Sequence, residues 1–300
     1  MPHPPFLASA PGATVAPVMP TAPRASLPDD ACDSHTHVFG PYDAFPLAHA
    51  ASYPPPLAPA SLHAAMLDMI GATRAVLVQP APYGTDMRAM LHALRCSRGR
   101  LRGIGVADAH IDHDVLRQWA AAGVRGLRFV DMRDPLGNQY KGSVGADQLI
   151  SLAPLMRELG MHAQLWATID DHLRLLPRLL PLGVPLVLDH MACIDTTHGL
   201  ADPAFVQLLD HVSRGDVWVK LSVCRVARTA NDYPLLKPFH DALVETNSAR
   251  MLWGSDWPFV RMGADSPDVG ALLDLFYAWV PDAATQRRIL VDNPARLYRF

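Results

Sequence analysis

Eight short apolar runs, separated by stretches of helical period and each followed by polar residues, predict an α/β fold: a closed (β/α)8 (TIM) barrel. The runs span 31–38, 75–79, 101–107, 124–130, 161–166, 185–189, 217–222 and 251–254. They are nearly continuous in apolar residues rather than alternating, as expected for parallel strands covered on both faces. Between them, Leu62, Met66, Met69 and Ile70 space as one helix face, as do Leu152, Leu155, Met156 and Leu159. Strands alternating with helices imply right-handed crossovers, and eight such units close into a barrel. An open, doubly wound sheet is the rival, but it leaves the placement of the polar residues unexplained.

Those residues recur just after the runs. His35 and His37 follow the first, Gln79 ends the second, and Asp108 comes after the third. Arg128 to Arg133 end the fourth, His190 follows the sixth, Ser222 to Arg225 the seventh and Asp256 the eighth. In a barrel these carboxyl ends share one rim, where active sites are built.

Composition sets the outer limits. A chain of 300 residues, 50% hydrophobic, can bury one large core, read here as a single barrel domain over 28–300. Residues 1–27 are rich in proline and alanine, and the expectation for them is a disordered extension. They lack the charged start and clean apolar stretch of a secretory signal. A net charge of −3 gives no electrostatic case for nucleic acid or an anionic membrane. No apolar run approaches the ~20 residues that span a bilayer. Cys32, Cys96, Cys193 and Cys224 are far apart, which reads as reduced thiols in a cytoplasmic protein. Nothing marks a partner surface or an oligomeric state.

Asp33-Ser34-His35-Thr36-His37 sets two imidazoles two residues apart on a strand, so both face the same side. Two surface histidines before the turn at Gly40-Pro41 are the plainer reading of that triplet. Asp256, in Leu252-Trp253-Gly254-Ser255-Asp256-Trp257-Pro258, could likewise be a turn or helix-cap residue. His190 alone could be a satisfied structural histidine. The three signals gain force together, because they fall on strands one, six and eight of one barrel.

This combination resembles the amidohydrolase superfamily. More narrowly, 31–41, 123–129, 187–191, 252–258 and 291–298 resemble the 2-pyrone-4,6-dicarboxylate hydrolases, and the likeness runs from about Ala31 to Tyr298. The resemblance implies a lactone hydrolase that opens its ring without a required divalent metal. In that scheme Asp256 is the general base, and His35, His37 and His190 polarise the ester carbonyl. Such a base contributes ~10²–10⁴-fold, and donors aimed at the oxyanion about 3 kcal/mol more.

Zn²⁺ held by His35, His37 and Asp256 is the alternative, since catalytic zinc commonly takes three protein ligands and water. Against it, strand four offers Arg128 and strand five ends in Trp166, where metal-dependent relatives place a lysine or histidine; His162 should lie at the opposite end. Arg128, Arg133 and Arg225 suit a carboxylate-bearing small molecule. Arg125 points the other way and reads as structural. Tyr53 matches a tyrosine of the resembled hydrolases and is a further candidate for substrate contact. Trp166 stands where those hydrolases carry tyrosine, and Phe259 near a histidine of theirs. Arg133 and Arg225 match only approximately, so the chemistry transfers better than the substrate. A zinc hydrolase or decarboxylase, a sugar-acid lactone isomerase and a non-catalytic binding barrel are the competing readings.

Overall fold

The computed structural model describes residues 15–49, 51, 53–134, 136–227 and 229–300. Eight parallel strands form one sheet in sequential order: β1 (Cys32–Thr36), β2 (Arg74–Val78), β3 (Leu101–Gly105), β4 (Val124–Val130), β5 (His162–Trp166), β6 (Leu186–Leu188), β7 (Val217–Lys220) and β8 (Met251–Leu252). Each falls inside its predicted run except β2, which begins one residue earlier, at Arg74. Helices α1 (Ala60–Ile70), α2 (Arg88–Cys96), α3 (His113–Ala121), α4 (Asp147–Glu158), α5 (Ile169–Leu179), α6 (Pro203–Arg214), α7 (Tyr233–Asn247) and α8 (Val269–Trp279) pack outside.

The inward face of α1 is His63, Met66, Leu67 and Ile70. That is a complete i, i+3, i+4, i+7 set, so Met69, expected on it, is left 45% exposed.

β8 is only two residues long, and the chain beyond it closes the barrel. Ser34 N donates to Trp253 O (2.9 Å), Asp256 N to His35 O (2.8 Å) and His37 N to Trp257 O (2.9 Å). Gly254 makes this seam possible, because a Cβ there would sit 2.7 Å from the Cβ of His35. Asp33 pins it from below, its Oδ1 accepting from the backbone N–H groups of Ser255 and His35.

The register of β1 against β2 shifts between Asp33 and Thr36. Cys32 belongs to the apolar cluster inside the barrel with Val76, Ile104, Trp218 and Leu252. Strict alternation from Cys32 would send His35 outward. The shift resets the phase, so Thr36 meets His63 of α1 while His35 and His37 turn inward.

The extension expected to be disordered over 1–27 behaves differently from Val15 onward; residues 1–14 lie outside the described residues. Val15 bridges to Pro56, the Trp257 indole donates to Val18 O (2.9 Å), and Asp268 accepts from Thr21 N. Arg24 pairs with Asp274. A proline-rich segment cannot build its own core, but it can lie extended when side chains of a finished domain satisfy its backbone.

Candidate active site

At the carboxyl ends of the strands lies a cavity of about 450 Å³. Asp256, His37 and His190 reach its floor; Tyr53, Arg128, Trp166 and Arg225 form its walls, and Tyr140 and Arg261 its mouth. Backbone conformation marks three of these positions. His190 (φ 53°), Asp256 (φ 67°) and Arg261 (φ 69°) are non-glycine residues in the left-handed region, as is Phe259. Such strain persists where surrounding structure dictates it, commonly at functional sites.

Asp256 is the hub. Its Oδ1 lies 3.0 Å from His37 Nε2 and 3.2 Å from His35 Nε2, and its Oδ2 is paired with Arg225 Nε. Burial works against its charge, but the Arg225 guanidinium and then His35 outweigh that and hold the carboxyl well below the usual range. His37 is anchored by Nδ1, 2.7 Å from the carbonyl of Val78. That oxygen can only accept, so Nδ1 carries hydrogen and Nε2 is the nitrogen turned to Asp256. Burial lowers His190 to about 4, so its imidazole is neutral at physiological pH; its Nδ1 has no hydrogen-bond partner among the described residues.

The four residues predicted to carry the chemistry thus converge, but not equivalently. His35 is fully buried behind the cavity floor, its ring 4.8 Å from that of His190 and tilted by 31°, and does not line the cavity. The zinc set also shifts. His35, His190 and Asp256 bring ligand atoms within 4.8 Å of one another, while His37 is not in that group.

Of the predicted substrate-binding residues, Tyr53, Arg128 and Arg225 line the cavity and Arg133 does not. Arg133 pairs through its backbone with Gln139, in a turn whose amides are held by Asp134, and its side chain is exposed. Arg261 supplies the cation at the mouth instead, lying over the rings of Tyr140 (5.1 Å) and Trp166 (5.6 Å) and donating to the Tyr140 hydroxyl. Gln79 and Asp108 serve loops, bonding backbone groups near their own strand ends. Arg125 caps the carbonyl of Ala120, and His162 packs against Tyr298.

Sequence reasoning missed a buried layer beneath the floor. Asp189 accepts from Arg128 Nη2 (3.3 Å) and Gln164 Nε2 (3.1 Å), and its Oδ1 is 3.3 Å from His35 Nδ1. Lys220 Nζ donates to Gln164 Oε1 (2.7 Å) and lies 3.7 Å from Asp189. A usable signal was present, since a lysine closing the apolar strand Val217-Trp218-Val219-Lys220 has no solvent face to occupy.

The fold and this rim of histidines, aspartate and arginines define a hydrolytic barrel. The family model described as amidohydrolase matches residues 32–300, and the chain belongs to that family. It is 34% identical to the 2-pyrone-4,6-dicarboxylate hydrolase of Comamonas testosteroni, over 93% of each chain. It is 33% identical to the 4-sulfomuconolactone hydrolase of Rhizobium radiobacter, over 91% of each. A probable 2-pyrone-4,6-dicarboxylic acid hydrolase from Acinetobacter baumannii, solved with citric acid bound, superposes with a TM-score of 0.77 at 27% identity, covering 90% of this chain and all of that one.

Proposed function

We propose that this protein hydrolyses the ring ester of a lactone bearing carboxylate groups, with 2-pyrone-4,6-dicarboxylate the first substrate to try. The observation that carries the reading is Asp256, ionised and buried, at the floor of a cavity walled by Arg128, Arg225 and Arg261. Guanidinium groups hold the substrate carboxylates. Asp256 takes a proton from water as the water oxygen attacks the ester carbonyl. His190, whose Nδ1 has no hydrogen-bond partner among the described residues, is placed to donate to the oxyanion, with His37 beside Asp256 on the floor. The ring carbon–oxygen bond then breaks, and the proton passes from Asp256 to the departing oxygen. An ionised Asp256 tied to Arg225 is a weak base. A substrate carboxylate that draws Arg225 away raises its basicity as the reactants meet.

We read the reaction as metal-free, because the donor set suits a divalent cation poorly. Asp256 commits one oxygen to Arg225, and the Lys220 ammonium lies 3.4 Å from His35 Nδ1. Two buried cations against the candidate ligands oppose a third. The ends of β4 and β5 add Arg128 and Trp166, neither a metal ligand. Four free cysteines and a near-neutral net charge support a cytoplasmic enzyme of small molecules, with no nucleic acid or membrane role. Among the described residues no helix is long and apolar enough to cross a membrane.

Ring opening of a lactone panel, followed by ultraviolet absorbance with and without chelator, tests both parts. Turnover of carboxylated lactones that survives chelation is expected. Activity lost to chelator and restored by zinc would show a metal enzyme, and no turnover of any carboxylated lactone would sink the hydrolase reading.

A further inference from the structure

Lys220 has no part in the scheme above, yet its side chain is wholly buried among the residues that do. An ammonium taken from water is expensive unless it is paired and hydrogen-bonded. Here Asp189 balances the charge at 3.7 Å, and Gln164 Oε1 accepts one hydrogen at 2.7 Å. A further hydrogen is directed at His35 Nδ1, 3.4 Å away in hydrogen-bonding geometry.

His35 Nδ1 has a second neighbour, Asp189 Oδ1 at 3.3 Å, but the angles there do not make a hydrogen bond and that oxygen accepts none among the described residues. The choice matters because a neutral imidazole carries one proton, and its position decides which nitrogen donates. Burial, and then Lys220, push His35 well below its usual value and favour the neutral ring. Burial lowers Lys220 to about 8, which leaves the ammonium as its main form at neutral pH, with hydrogens to give and no lone pair. Nδ1 is then the acceptor and the proton sits on Nε2, which lies 3.2 Å from Asp256 Oδ1 but outside hydrogen-bonding geometry. The opposite tautomer would face a nitrogen lone pair to the carboxylate.

We propose that Lys220 is a positioning residue: by donating to Nδ1 it holds His35 in the Nε2–H tautomer, so that a ring N–H rather than a lone pair faces Asp256. The inference rests on the reading of Asp256 as general base. It gives a role to His35, which does not line the cavity. It also explains why β7 ends its apolar run in a charge.

The test uses the full chain with ¹⁵N-labelled histidine, the His35 signal being assigned by its loss in His35→Gln. At neutral pH the wild type is expected to show unprotonated Nδ1 and protonated Nε2. In Lys220→Met that signature reverses or averages. There kcat falls on the order of 10²-fold, the cost of a misplaced group, while KM stays within about 3-fold. Lys220→Arg, which still donates, restores the signature and part of kcat. A protonated Nδ1 in the wild type overturns the inference, as does Lys220→Met with wild-type kcat. Should Lys220→Met not fold, the wild-type spectrum alone decides. The spectrum needs no substrate, so absence of lactone turnover would remove the hydrolase reading while the tautomer is still tested.

Discussion

Trp218 and Lys220 stand two residues apart on β7 and face the same interior, yet they belong to different chemistries. Around Trp218 lie Val76, Ile104, Val187, Leu252 and Tyr298, an apolar plug in the lower barrel. Around Lys220 lie His35, Gln164 and Asp189, and beyond them Arg128 and Asp256. The plug is held by burial of apolar surface, about 25 cal/mol per Å², and is indifferent to pH. The upper layer exists only because each charge has a partner, since one left alone in such a place costs several kcal/mol, roughly 3–5. One barrel therefore holds a region that pays for folding and a region that folding must pay for.

The largest effect expected from breaking this division is Asp256→Asn. Turnover should fall by ~10²–10⁴-fold while far-ultraviolet circular dichroism stays near wild type, and the thermal transition should drop because Arg225 loses its partner. Substantial residual kcat in that variant would move the base elsewhere. In the plug the reverse should hold. Ile104→Ala is expected to lose ~2–5 kcal/mol of stability by urea unfolding, with kcat and KM of the folded fraction unchanged. A shifted KM there would mean that the two layers are mechanically coupled.

The pH dependence of stability sharpens the comparison. Burial lowers His63 and His162 to about 3 and His172 and His190 to about 4. Between the ordinary histidine value near ~6.5 and those lowered values, the unfolded chain binds protons that the native one refuses, so stability must fall as pH falls. Each such histidine should remove on the order of 1–2 kcal/mol by about pH 5. Asp189 and Asp256, held low by cationic partners against burial, lose their contribution only at still lower pH. Asp33 opposes the trend, because burial raises it to about 6 and its native form takes up protons first. Urea midpoints that were flat from pH 7 to 5 would contradict this balance.

The smallest effect separates two arginines. Arg261→Ala should raise KM for a dicarboxylate lactone roughly 5-fold, about 1 kcal/mol for a partly exposed charged contact, and Arg133→Ala less than about 2-fold. Equal effects would return Arg133 to the site.

Much of this was legible in the chain. Eight buried strands leave a simple hydrophobic record, and the carboxyl end of each is readable from the order of apolar and polar residues. That order placed His37, His190, Asp256, Arg128 and Arg225 on one rim, and the resemblance of their motifs marked the family. It could not show that a register shift in β1 turns His35 inward behind the floor, because alternation is blind to a bulge. It could not separate Arg133 from Arg261, since both are loop arginines and only the path of each loop decides which one reaches the cavity. Nor could it group Asp189, Gln164 and Lys220, which lie on or just after three different strands and meet only when the barrel closes. The sequence by itself determined which residues could be buried and which strand ends would be polar, because those depend on local pattern. The tertiary structure decided which charges share a partner, because electrostatics inside a barrel depends on distances of a few ångströms between residues far apart in the chain.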